Sequence, residues 1–334
     1  MSNNEESESE ENDIEESNKG KNMDNKSISF KKTNTSIPIA IIMGGTYNKK
    51  IIYLDKFVDN NTNLVVDNIY HHVSEKDIRK YKKYLKKSDL NKIKKAFETG
   101  EIDLDIEELY DDLKDEIKES YKKHIHIDDG IIQILPLIMV KDQTDRIMIS
   151  GASGSGKSTF IRLYADQYHK LFPNNKVLLF SRLSEDKALD SANYIKRIKV
   201  DENFLKLQYE PKDFKDSLNI FDDIDTFDNK YVCEAVKKLR DDLLETGRHN
   251  NAYVIGVSHQ LLNYKSTKIL LNESNKVVFF PASGGLYQVI RMMKNYFGLM
   301  PDQINMIKKI NSHWICLSRM HPTLVIGERD IYIL

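Results

Sequence analysis

The sequence predicts an α/β fold built on a mainly parallel sheet, and three observations carry that expectation. From residue 146 onward, short apolar runs alternate with helical patterns, the signature of strands joined by covering helices. One run, Arg146 to Ser150, leads into a glycine-rich loop with a helical pattern behind it. Another, Leu218 to Phe221, ends in two consecutive acids, Asp222 and Asp223. A smaller N-terminal β region carrying a helical insertion completes the expected architecture.

The chain has 334 residues, 40% of them apolar, enough for one large or two medium domains. Residues 1–36 are rich in Glu, Ser, Asn and Lys and are expected to be a disordered acidic and polar tail. Residues 37–145 form the β region. Ile37 to Met43, Lys50 to Phe57 and Asn63 to Asp67 read as strands, and helical spacing runs through about 74–126. Ile131 to Val140 resumes β character. Residues 146–334 are the expected core. Within it, Lys176 to Ser181, Ile195 to Val200, Ala252 to Val257 and Lys276 to Phe280 read as strands, as do three short runs at the end. Thr159 to Leu171, Lys230 to Glu245, Gly285 to Phe297 and Asp302 to Ile310 read as helices.

Net charge is about −1 with 50 basic and 51 acidic residues, but the balance is uneven. From Arg146 to the end there are 27 basic and 21 acidic residues, so the C-terminal part is mildly basic. That suits a nucleic-acid partner and equally suits scattered solvated lysines. Cys233 and Cys316 are far apart, which fits a reducing, intracellular compartment. The longest apolar stretch is too short to span a bilayer, and no signal peptide is expected. His71, His72, His124 and His126 lack acidic partners at metal spacing in the sequence, so they read as surface histidines.

The loop Gly151-Ala152-Ser153-Gly154-Ser155-Gly156-Lys157-Ser158 fits G-x-x-x-x-G-K-[ST], between strand and helix as the pattern requires. Its glycines let successive N–H groups face phosphates, and the helix N-terminus adds partial positive charge. Lys157 is expected to reach the β- and γ-phosphates of ATP. Ser158 is expected to ligate Mg²⁺, and Thr159 completes the binding stretch. Asp222 is a second candidate Mg²⁺ ligand, and Asp223 can accept a proton from an attacking water or orient it. Hydrolysis needs such a group, whereas a small-molecule kinase takes its nucleophile from the acceptor.

Two further stretches leave alternatives open. Gly247 can end the Lys230 to Glu245 helix, and Arg248 is then either a turn residue or a cation for a neighbouring subunit's γ-phosphate. Ser258-His259-Gln260 follows a buried strand, where a polar side chain can sense the γ-phosphate; the other reading makes Ser258 the N-cap of a helix. Asp225 and Asp228 read as loop acids, and Trp314 as a core residue.

Taken in order, GASGSGKS, LNIFDDID, TGRHNN and VIGVSHQ resemble the FtsK–HerA superfamily of P-loop ATPases, and within it the poxvirus-type genome-packaging ATPases of large eukaryotic DNA viruses. The resemblance covers about 146–280. It implies a RecA-like core, a homo-oligomeric ring, ATP and Mg²⁺ as ligands, and movement of double-stranded DNA in a host cytoplasm, virus factory or virion. By matching position it makes Arg248 the finger. The family's sensor is commonly Gln directly after the residue matching Ser258; here His259 stands there and Gln260 follows. The N-terminal region has no counterpart, which fits a paralogue of a packaging motor. The competing reading, from another class, is a nucleotide-gated assembly protein that binds ATP and a protein partner without acting on DNA.

Overall fold

The computed structural model describes residues 27–55, 88, 91–92, 123–138, 143–207, 209–263, 267–283 and 285–334. The chain divides into two compact units, one of residues 1–36 with 54–122 and a second of 37–53 with 123–334. The predicted strand at Asn63 to Asp67 lies outside the described residues. So do the predicted helices of the insertion, apart from Ser88, Asn91 and Lys92, which are helical.

In the first unit, β1 is Ser27–Ser29. Asp55 accepts hydrogen bonds there from Thr33 Oγ1 at 2.8 Å and Thr35 Oγ1 at 2.9 Å. In the second unit, β2 (Ile37–Met43) turns through Gly44 and Gly45 toward β3 (Ile51–Asp55), of which residues 51–53 belong to this unit. Both glycines have positive φ, 78° and 67°, which a side chain would strain. On its other edge β2 pairs antiparallel with β5 (Ile131–Ile134), Ala40 opposite Ile134.

The large sheet holds the site. Its strands are β4 (His124–His126), β6 (Arg146–Ser150), β7 (Lys176–Ser181), β8 (Ile195–Ile198), β9 (Ser217–Asp222), β10 (Ala252–Ser258), β11 (Lys276–Phe279), β12 (Ile315–Ser318), β13 (Leu324–Ile326) and β14 (Asp330–Ile333). Their order is β4-β14-β13-β12-β11-β6-β10-β9-β7-β8. The run from β8 to β11 is parallel, and β12, β13, β14 and β4 extend it as an antiparallel wing. The mainly parallel sheet is as expected. His124–His126, expected at the end of the helical insertion, is instead the edge strand of this wing.

β9 and β10 are buried at every position, as a strand covered on both faces must be. Their apolar side chains leave water on both sides, at roughly 1.5–3 kcal/mol each for the large ones. Helices α1 (Lys157–Leu171), α2 (Lys230–Thr246), α3 (Lys268–Glu273), α4 (Leu286–Phe297) and α5 (Pro301–Ile307) cover the sheet or join its strands. The predicted face of α2, Val232, Val236, Leu239 and Leu243, is the buried one. Asn229 caps that helix, its side chain accepting from the N–H groups of Tyr231 and Val232. Phe180 and Phe221 stack at 4.7 Å across β7 and β9, and Trp314 meets Phe160 edge-on inside the core. An added Cβ on Gly256 would lie 2.3 Å from Leu270, so glycine lets α3 approach β10.

One buried ion pair sits at the start of β6. Lys276 Nζ lies 2.7 Å from Asp145, with side chains 5% and 1% exposed. Tyr164 donates its hydroxyl to Asp145 at 2.6 Å, and the Leu137 N–H donates at 2.9 Å. All three hydrogen bonds converge on Asp145 Oδ2, and Oδ1, which makes none among the described residues, keeps only the Lys276 charge beside it, so the carboxylate is compensated mainly by that ion pair.

Candidate active site

Parallel strands deliver their carboxyl ends to one edge of the sheet, and there the predicted residues meet. Registers pair Ser258 with Ser150 and Ser181 with Asp222, so the ends of β6, β10, β9 and β7 are level. β10 lies between β6 and β9. Its last residues are therefore set between the loop and the acids.

The loop follows β6 directly. Gly154 and Gly156 have φ of 77° and 97°, left-handed conformations that β-carbons resist. At Gly151 a Cβ would lie 2.6 Å from Ser155 Oγ and 2.9 Å from Phe280. Helix α1 begins at Lys157, two residues earlier than its apolar spacing suggests, because the loop itself turns into the first helical turn. No side chain caps that N-terminus, and its first turn carries no acid. Its backbone donors and the helix dipole therefore suit an anion.

Lys157 Nζ donates to the carbonyls of Gly151 and Ala152, both at 3.0 Å. Burial lowers the pKa of its ammonium, against the pull of Asp222 and Asp223. The Ser155 hydroxyl is buried and makes no hydrogen bond among the described residues. A buried hydroxyl of this kind calls for a polar partner, which a phosphate oxygen can be.

The acids form the opposite wall. Burial pushes the Asp222 carboxyl up to about 6, aided by Asp223 and Asp186 and opposed by Lys157 and His259. Asp223 sits in a left-handed conformation at φ 51°, a conformation uncommon for a residue with a side chain. Its Oδ1 lies 2.6 Å from His259 Nε2. Ser258 Oγ donates to the Gln260 carbonyl at 2.8 Å, and the Gln260 side chain accepts from Asn263. No helix starts at Ser258; the next is α3, at Lys268.

Two neighbours of the site carry no motif. Asp186, in the loop after β7, accepts the Ser158 hydroxyl at 2.8 Å. The same carboxylate accepts from the N–H groups of Ala188 and Leu189, which fixes its position. His313 approaches Gly156 so closely that a Cβ there would lie 3.1 Å from its Nε2. Asp186 was foreseeable in kind, since it follows a parallel strand at its carboxyl end. His313 comes from the antiparallel part of the chain, with no local signal. Arg182 is paired with Asp228 at 2.9 Å, and Asp225 with Lys237 at 2.6 Å.

Arg248 is not among these residues. It precedes β10, at the opposite edge of the sheet, roughly 20 Å from its own loop at about 3.3 Å per strand residue. There it lines a cleft of about 250 Å³ with Arg146 and Arg319. The Nε atoms of Arg146 and Arg319 are buried and make no hydrogen bond among the described residues. Arg248 cannot serve the loop of its own chain.

The residues fit a nucleotide with a hard divalent cation. Close contact at Gly151 and Gly156 and positive φ at Gly154 and Gly156 disfavour side chains, the loop donors suit phosphate, and Ser158, Asp186, Asp222 and Asp223 offer oxygen donors of the kind Mg²⁺ prefers. Fold and loop together define an α/β protein of the P-loop type.

The chain belongs to the same family as the uncharacterized protein V3 of Sputnik virophage, with 44% identity over 185 residues, spanning 54% of this chain and 74% of that protein. No family model matches the chain. Among solved structures, it is similar to the DNA-packaging ATPase B204 of Sulfolobus turreted icosahedral virus, at 15% identity over 58% of this chain and 98% of that one, with a TM-score of 0.39. It is also similar to the cytoplasmic domain of the type VII secretion ATPase EccC of Thermomonospora curvata, at 11% identity over 62% of this chain and 28% of that one, with a TM-score of 0.39. No helix among the described residues is long and apolar enough to cross a membrane.

Proposed function

We propose that this chain is a Mg²⁺-dependent ATPase that drives double-stranded DNA, as a translocating or genome-packaging motor assembled in a ring. The observation that carries the hydrolytic part is the meeting of Lys157, Ser158, Asp222, Asp223 and His259 from three parallel strand ends. The loop N–H groups and Lys157 bind and orient the triphosphate. Ser158 and Asp222 hold the cation, with Asp186 positioning the Ser158 hydroxyl. Bound Mg²⁺ supplies charge neutralisation on the phosphate oxygens. Asp223, held by His259, orients a water and takes its proton as the water oxygen bonds the γ-phosphorus. The bond from that phosphorus to the bridging oxygen breaks, and ADP and phosphate leave. Arg248 acts on a neighbouring subunit's nucleotide.

The DNA part is supported by the order of the four motifs and by the basic balance of the C-terminal part. Phosphate release from ATP and Mg²⁺, with and without double-stranded DNA at low salt, tests both parts. Lys157→Ala and Asp223→Asn serve as controls. Turnover stimulated several-fold by DNA and lost in both variants is expected. Turnover indifferent to DNA, or tight ATP binding without turnover, supports the nucleotide-gated assembly protein instead.

A further inference from the structure

The antiparallel wing brings together three side chains that lie far apart in the sequence. His124 and His126 are two residues apart on β4, so they share one face. The antiparallel register sets Asp330 of β14 directly opposite His126 and Tyr332 opposite His124. His124 Nε2 lies 3.0 Å and His126 Nδ1 2.8 Å from the same oxygen, Asp330 Oδ1. One donor atom from each of the three residues lies within 4.8 Å of the others. The absence of an acidic partner for His124 and His126, expected from sequence spacing, is thereby corrected.

The geometry points to a site for one divalent transition-metal ion of the Zn²⁺ class, held by His124, His126 and Asp330. Tetrahedral Zn²⁺, with bonds of about 2.0–2.2 Å, needs donor atoms roughly 3.3 Å apart. The two distances to Asp330 Oδ1 need lengthen only by a few tenths of an ångström, and the two imidazole donors, within 4.8 Å of each other, reach that spacing as the rings turn. Two imidazoles and a carboxylate suit Zn²⁺, Co²⁺ or Ni²⁺, whereas Mg²⁺ and Ca²⁺ prefer oxygen alone. The surroundings orient the ligands. Tyr332 stacks on the His124 ring at 3.9 Å with 8° between planes. His126 is half exposed, and the carboxylate of the exposed Asp128 lies 3.7 Å from its Nε2. An ion therefore has an entry path, and three ligands leave a position for water.

The site is separate from the nucleotide loop. β4 is five strands from β6 in the sheet, roughly 24 Å at about 4.8 Å per strand. An ion there ties a three-residue edge strand to the C-terminal strand and closes a long loop of chain between them.

The test is titration of the full-length chain with Co²⁺ and then Zn²⁺, without nucleotide and in millimolar Mg²⁺. His126→Gln and Asp330→Asn are the site variants, and Asp222→Asn controls for the nucleotide site. One Co²⁺ per chain, with visible absorption of tetrahedral or five-coordinate type that Zn²⁺ displaces, is expected. Affinity should fall tenfold or more in each site variant and stay unchanged in Asp222→Asn. Zn²⁺ should raise the melting temperature of the wild type and of Asp222→Asn only. His126 is half exposed, so His126→Gln keeps the fold, and circular dichroism verifies it. Binding of equal strength in the site variants, or no binding up to about 100 μM Zn²⁺, overturns the proposal and leaves a His–Asp hydrogen-bond cluster.

Discussion

Asp222 should cost the protein stability, and Asp222→Asn should return it. In the unfolded chain this carboxyl titrates near its ordinary 3.8, and in the fold burial, with Asp223 beside it, pushes it up to about 6. Between those values the folded state holds more protons than the unfolded one. The group's favourable contribution is therefore complete below about pH 4, declines as pH rises to about 6, and is absent above. A shift of about two units at about 1.36 kcal/mol each sets a ceiling of roughly 3 kcal/mol. The asparagine amide must still find partners, so we expect a gain of about 1–3 kcal/mol at pH 7.5. A gain of about 2 kcal/mol raises the melting temperature by roughly 4–8 °C in a domain of this size. Urea and thermal denaturation at pH 7.5 and pH 4, without Mg²⁺ or nucleotide, measure it. The gain should shrink to about 0.5 kcal/mol at pH 4, where the wild-type carboxyl is protonated in the fold and nearly half protonated in the unfolded chain. A variant no more stable than wild type at pH 7.5, or equally stabilised at both pH values, refutes the reasoning. With Mg²⁺ and ATP the order should reverse, because only the wild type retains the ligand.

Three other perturbations probe different layers. Asp145→Ala leaves the Lys276 ammonium buried beside the Tyr164 hydroxyl and the Leu137 N–H, and should destabilise by about 3–5 kcal/mol in urea denaturation. Asp186→Ala frees the Ser158 hydroxyl and uncaps two N–H groups, and should cost about 1 kcal/mol. It should also weaken Mg²⁺-dependent nucleotide binding more than Mg²⁺-free binding, by calorimetry. Arg248→Ala should leave ATP affinity of an isolated chain within about twofold and cut turnover of the assembly by about 10³-fold. Wild-type subunits mixed with it should be impaired as well; unimpaired mixtures argue against action on a neighbour.

How much was legible depended on how far apart in sequence the partners lie. The loop from Gly151 to Ser158 is contiguous, so its residue order alone carries its shape. The parallel strands were legible because burial on both faces leaves continuous apolar runs, as in Leu218 to Phe221. The helix face of α2 was legible from spacing. The pairing of Asp186 with Ser158 was not, because the two are 28 residues apart and belong to the segments after two different strands, β7 and β6. Asp330 was hidden further still, 204 residues from His126, on a short strand in a wing whose pairing no local pattern reveals. β4 itself has three residues, too few for alternation to declare itself.

The strand order explains why one site needs several motifs. If β6 and β9 were neighbours, the loop and the acids would abut, with no strand end between them. Inserting β10 puts Ser258 level with Ser150 and lets His259 reach Asp223. The turn that leads into the same strand carries Arg248 at the far edge, with Arg146 and Arg319. One buried strand thus joins the group that touches the chain's own acids to the cation offered outward. Val254, Ile255 and Val257 between them are fully enclosed, and Gly256 meets Leu270 so closely that even a methyl group would displace it. A strand packed this tightly moves as a body.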